Sequence, residues 1–112
     1  MERMRYLQTE EVILVMTDNK NRLICDRVLS KGTVNCSLMS PREVFLVALE
    51  YHAVHILLIH NHPSGDAAPS RQDIEITEHL ARLCDMMQIP LLDHIIVGDG
   101  CYVSFKESGL LK

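Results

Sequence analysis

The sequence carries no surplus of basic charge. Its formal net charge is −4, lysine and arginine nowhere cluster, and aromatic residues make up only 4%. A domain without basic patches or aromatic clusters lacks the usual means of holding nucleic acid directly. There are four cysteines, Cys25, Cys36, Cys84 and Cys101, and none forms a Cys-x-x-Cys pair. That excludes a zinc knuckle and a dithiol redox motif. Scattered in apolar stretches, they are expected to be buried free thiols of a reducing compartment. No signal peptide or membrane-length apolar run occurs, so the cytoplasm is the expected location and no membrane partner is expected. The glycine fingerprint of dinucleotide sites and the phosphate-binding P-loop are also missing.

What is present suits one ordinary domain. The chain has 112 residues, 47% of them hydrophobic, enough for a core without covalent staples. The opening MERMRYLQ is short, charged and amphipathic, and reads as the tail of a helix. Val12 to Met16 form a continuous apolar run, the signature of a strand buried on both faces. The turn formers Asp18 to Asn21 and the strand-like RLICDRVLS then predict a hairpin. KGTVNCSLM is expected as a short irregular strand.

Ser40, Pro41 and Glu43 predict a helix start with a capping box, followed by an apolar stripe of Val44, Val47, Ala48 and Tyr51. Val54 to His60 reads as a central strand. A loop, NHPSGDAAP, leads into a long amphipathic helix with Ile74, Thr77, Leu80, Ala81, Cys84 and Met87 along one side. Pro90 ends that segment, and LLDHIIVGDGCYVSF gives strand, turn, strand. Hairpins at both ends and alternation in the middle predict an α/β domain, a mixed α+β sheet flanked by helices.

The chemistry gathers in IHNHPSGDAAPSRQD, Ile59 to Asp73. Residues two apart in a strand project to the same face, and Pro63 biases His62 toward extended geometry. His60 and His62 can therefore reach one metal ion at the end of a central strand, where open α/β sheets place their sites. Asn61, between them, is expected to face away, so the literal His-Asn-His string is not a nuclease signature. Asp73, in the first turn of the next helix, is a third candidate ligand, and Ser70 a candidate donor to an oxyanion. Ser70 and Asp73 also make a common helix-capping pattern. Glu10 and Glu11 enter the first strand with opposite facing, so one of them can serve as a base, or both can be solvated strand-edge charges.

The spacing His60-x-His62, seven residues, Ser70, two residues, Asp73 matches the JAMM (MPN-type) zinc metalloprotease motif at every position. The wording HNHPSGD, PSRQDIEIT and LLDHIIVGDG, with SPREVF and DNKNRLI, resembles more narrowly the C-terminal domain of RadC-family proteins, historically called DNA repair proteins. The resemblance runs from about Leu7 to the end of the chain. It implies a JAMM/MPN-like fold related to the cytidine-deaminase architecture, although the deaminase signature itself is absent. It implies that His60, His62 and Asp73 hold Zn2+, that Ser70 supports an oxyanion, and that Glu10 is the general base. Glu11 is the near alternative and Glu43, already accounted for as a helix cap, ranks third.

The activity implied is hydrolysis of an amide, in a peptide or another substrate, by metal-activated water. The alternative is a DNA-repair or recombination module, nuclease or accessory, using the same metal site. RadC-like proteins carry an N-terminal helix-hairpin-helix region that this sequence does not include, so residues 1–112 are expected to be one C-terminal domain. Any DNA contact is expected through that region. His94 matches a family pattern and is expected either to support the site by a hydrogen bond or to be a buried structural histidine. Specificity is expected from loops around the site, where Asp66 and Arg71 lie.

Overall fold

The computed structural model describes residues 10–31 and 40–111. The expected tail helix in MERMRYLQ, the short strand expected in KGTVNCSLM beyond Lys31, and Cys36 lie outside them.

The run from Val12 to Met16 becomes the middle of strand β1, Glu11–Thr17, which is buried along nearly its whole length. The chain reverses through Asp18, whose Oδ1 accepts from the amides of Lys20 and Arg22 at 2.8 and 2.9 Å. Asn21 takes up the left-handed conformation there, with φ 61°. Strand β2, Leu23–Lys31, returns antiparallel to β1, so the expected hairpin is present.

Helix α1, Pro41–Glu50, starts where Ser40 and Pro41 place it. The cap differs from the expected box: Ser40 Oγ accepts from the Arg42 amide at 3.2 Å, while the Glu43 amide bonds the Ser40 carbonyl. Strand β3, His55–Asn61, follows, then helix α2, Arg71–Met87, strand β4, Leu91–Val97, and strand β5, Tyr102–Ser104.

The sheet order is β2-β1-β3-β4-β5. β1 is antiparallel to both neighbours, β3 and β4 are parallel, and β5 turns back antiparallel on β4. A parallel pair needs a long crossover, and α2 supplies it between β3 and β4. The result is the expected mixed sheet with helices, and its middle strand is β3.

Alternation along β1 sorts its side chains between two clusters. Val12, Leu14 and Met16 join Ile56 and Leu58 of β3, Val44 and Ala48 of α1, and Leu80 and Cys84 of α2 in the main core. Ile13 packs instead with Val97. The stripe of α2 is real but stops early: Asp73, Thr77, Leu80 and Cys84 are buried, whereas Met87 is exposed. Met87 is the last helical residue before Gln88 turns left-handed at φ 61°, so it has no further turn to pack beneath. Of the described cysteines only Cys84 is buried; Cys25 is half-buried and Cys101, beside the β4–β5 turn, is exposed. Among the described residues no helix is long and apolar enough to cross a membrane.

Candidate metal centre

The C-terminal end of β3 and the first turn of α2 meet over the sheet. His60 belongs to the last turn of pairing between β3 and β1, opposite Val12, and is fully buried. His62 lies just beyond the strand, yet its amide still donates to the Val97 carbonyl at 2.9 Å. That bond carries the parallel register past Asn61 and keeps both histidines aligned. The Gly65 amide then closes the turn on the His62 carbonyl at 3.0 Å.

This loop is held from below by the β4–β5 turn. The Asp99 amide donates to the Gly65 carbonyl at 2.9 Å. Gly98 is what permits the approach: a Cβ there would collide with Gly65 and stand 2.9 Å from both Ala67 N and Cys101 Sγ. The glycine requirement here is space, not backbone conformation.

The opening of α2 brings back the remaining candidate ligand, Asp73. Ser70 caps the helix through a reciprocal box: Ser70 Oγ accepts from the Asp73 amide at 3.0 Å, and Asp73 Oδ2 accepts from the Ser70 amide at 2.9 Å. The box locks the carboxylate in one rotamer, 2% exposed, with Oδ2 3.2 Å from His62 Nε2 and Oδ1 4.0 Å from His60 Nδ1. One ligand atom each from His60, His62 and Asp73 lie within 4.8 Å of one another.

The donor set fits a metal ion on its own chemistry. Both ring nitrogens of His60 are buried without a hydrogen-bond partner. A buried imidazole left wholly unpaired is costly and needs an explanation, and a cation is one that serves both it and the adjacent carboxylate. His62 is prepared differently. Its Nδ1 lies 3.0 Å from the Asp66 carbonyl, which can only accept, so Nδ1 carries the proton and Nε2 is the nitrogen turned to Asp73.

Charges in the metal-free cluster are strongly coupled. Burial holds His60 down at about 4, so it is neutral at pH 7. His62 is raised, chiefly by its hydrogen bond to Asp73. Burial alone would raise Asp73, but the bonds from His62 and Ser70 and the proximity of His60 hold it far below the ordinary carboxylate range. The aspartate is thus an anion under all ordinary conditions.

Glu10 completes the group. Its carboxylate is 9% exposed, and Oε1 stands 3.3 Å from His60 Nε2. Burial pushes it up to about 6; His62 opposes the rise and Asp73 adds to it. Of the two neighbouring glutamates, it is the Glu10 side chain that stands against His60, while the Glu11 amide donates to Asn61 Oδ1 at 2.5 Å. Glu43 is exposed in the first turn of α1.

Two contributors were not singled out by sequence pattern. Asn61 is 1% exposed and reaches across to β1, although strand alternation put it on the face away from the histidines. Thr77, expected as part of the apolar stripe, donates its hydroxyl to the Asp73 carbonyl at 2.6 Å and meets His94 Nδ1 at 2.7 Å. The signal available for Thr77 was its position four residues after Asp73, one helical turn along. His94 is the buried histidine expected, and its hydrogen bond runs to Thr77 and not to a candidate ligand. It is fully buried, stacked between His60 and Phe105, and bonded through Thr77 to the turn that carries Asp73. Arg71 pairs with Glu75 at 3.2 Å on the exposed side of α2.

A model of the RadC-like JAB domain family matches residues 1–110. A UPF0758 protein of Caldanaerobacter subterraneus subsp. tengcongensis is 48% identical over 109 residues, covering 97% of this chain and 47% of its own length. UPF0758 proteins of Bacillus licheniformis and Methanosarcina mazei are 47% and 44% identical, over 96% and 98% of this chain and 48% of theirs. The chain spans about half the length of the curated relatives it matches.

Proposed function

The chain belongs to the RadC-like JAB domain family, and from that premise we propose that it is a zinc-dependent hydrolase that cleaves amide bonds in peptides or other substrates. The observation that carries the proposal is the cluster itself. A buried histidine with two unpaired nitrogens shares one point with His62 and Asp73, and a carboxylate raised to about 6 stands 3.3 Å away. Groups whose pKa values are pushed apart by burial and neighbouring charge are concentrated at functional sites.

His60, His62 and Asp73 would hold the ion. A divalent zinc there would polarise a carbonyl and bring the pKa of a water to about 7. Glu10 supplies the proton traffic. Standing 3.3 Å from a candidate ligand, its carboxylate can take a proton from the attacking water and return it to the departing amine. Ser70 Oγ accepts from the Asp73 amide, and its hydroxyl also bonds the Asp73 carboxylate; to serve a developing oxyanion the hydroxyl proton would turn from that carboxylate to the substrate.

The charge of the chain supports an amide substrate over nucleic acid. With a net charge of −4 and no cluster of lysine or arginine, the chain offers little to a phosphate backbone. The test is hydrolysis of a fluorogenic peptide library by the zinc-loaded protein, with metal content measured on the same samples. Glu10→Gln should keep the metal and lose cleavage. Full cleavage by Glu10→Gln would remove Glu10 from its role, and cleavage of DNA rather than peptide would overturn the substrate assignment.

A further inference from the structure

The residue between the two histidines has a task that the ligand set does not explain. β1 and β3 pair through Val12 and His60, and that is the last matched pair at this end of the ladder. Glu11 is matched on its other side to Lys31 of β2, but neither it nor Glu10 has a matched partner in β3. At that point the Asn61 side chain takes over: its Oδ1 accepts the Glu11 amide at 2.5 Å, and the residue is 1% exposed.

The bond acts on a particular group. The Glu11 nitrogen belongs to the peptide unit whose other half is the carbonyl of Glu10. Because the six atoms of a peptide group are coplanar, holding that unit in place fixes the Cα of Glu10, the point from which the Glu10 side chain leaves the backbone. We propose that Asn61 is a positioning residue: its amide oxygen anchors the Glu10–Glu11 peptide and so holds the Glu10 carboxylate against His60. The proposal rests on Glu10 being the base of the reaction set out above.

Asn61 is tied to the ligands by the same stroke. It sits in β3 between His60 and His62 and is matched to Val97 of β4. One strand end thus sets two histidines through its backbone and the base through its side chain. A leucine of similar size would fill the site but could not accept the bond. Aspartate would keep an acceptor oxygen in the same place.

The test compares wild type with Asn61→Leu and Asn61→Asp, each loaded with zinc. Three things are measured: zinc bound per chain, hydrogen exchange of the Glu11 amide, and the Glu10 carboxylate position in crystal structures. Asn61→Leu should bind zinc through unmoved ligands, exchange the Glu11 amide at least about tenfold faster, and show Glu10 displaced from His60. Asn61→Asp should restore both amide protection and carboxylate position. Peptide cleavage, measured beside these, should fall with the leucine variant and recover with the aspartate one. Asn61→Ser, too short to reach the amide, replaces the leucine variant if that one does not fold. Glu10 unmoved in Asn61→Leu or Asn61→Ser, or displaced equally in Asn61→Asp, would overturn the assignment. A wild type that binds zinc yet cleaves no peptide sinks the hydrolase reading alone, because exchange and crystallography still decide Asn61.

Discussion

The two helices of this domain begin with nearly the same words. α1 opens Ser40-Pro41-Arg42-Glu43 and α2 opens Ser70-Arg71-Gln72-Asp73. Both serines cap, and each helix has its acidic residue in the first turn, where the helix dipole favours it. Only one of these starts is a candidate site. Glu43 is exposed to solvent, whereas Asp73 is 2% exposed and lies 3.2 Å from an imidazole. The difference comes from what the sheet places opposite. α2 follows the end of the central parallel strand, so its first turn is delivered onto His60 and His62. The shorter aspartate also closes the reciprocal box that α1 does not form, which fixes its rotamer.

The comparison is broken most severely at the acidic residue. Asp73→Asn should preserve a helix cap but remove the anionic ligand. Zinc affinity should fall by more than the roughly 10–100-fold that outer-shell partners cost, and cleavage should vanish with it. Glu43→Gln should leave both within about twofold of wild type, as expected for a surface residue. Competition titration with a chromophoric chelator measures both. Equal losses would mean that the two helix starts are not functionally different.

Next in size is the base. Glu10→Gln should lower the turnover rate by about 10²–10⁴-fold, the range for a positioned general base, without lowering zinc content. The serines come after it. Ser40→Ala and Ser70→Ala should each cost about 1 kcal/mol of stability by denaturant titration, the usual worth of a cap. Only Ser70→Ala should also slow cleavage, by about 10²–10³-fold if its hydroxyl serves the oxyanion. A Ser70→Ala enzyme with unchanged turnover would reduce Ser70 to the same capping role as Ser40.

The smallest effect expected is on stability against pH in the metal-free protein. Burial lowers His60 from 6.5 to about 4 and His94 from 6.5 to about 3. Unfolding lets both take up protons, so over the window from about 4 to 6.5 the unfolded chain binds more protons and stability rises with pH. Glu10, raised from 4.5 to about 6, opposes this between those values, and His62, raised from 6.5, opposes it at the top of the window, but the two buried histidines shift further than Glu10. Denaturant midpoints in chelator should therefore be lower at pH 4.5 than at pH 6.5, and His60→Gln should flatten the trend. A trend left unchanged by His60→Gln would mean that His60 is not held neutral.

What could be read from the chain beforehand follows the range of the interactions. Strands β1 and β3 and the hairpins were legible because continuous apolar runs and turn formers are local signals. The candidate triplet was legible for the same reason: the fourteen residues from His60 to Asp73 span one strand end, one loop and one helix turn. Glu10 and Glu11 could not be separated by pattern, since neighbours in a strand differ only in facing. It took the side chain's reach to His60 to separate them. Asn61 and Thr77 were hidden because alternation and helical periodicity describe faces, not hydrogen bonds across them. Gly98 was read as a turn residue, and its contact with the Gly65 loop joins positions far apart in the chain. The Met87 stripe failed where the helix ended.

The central claim is that His60, His62 and Asp73 are one metal site beside Glu10. It is tested most directly by a zinc-soaked crystal with diffraction recorded on both sides of the zinc absorption edge. One anomalous peak should appear, bonded to those three side chains, with nitrogen and oxygen distances of about 2.0–2.2 Å, and the Glu10 carboxylate beside it. No peak among them, or a peak held by other residues, would contradict it.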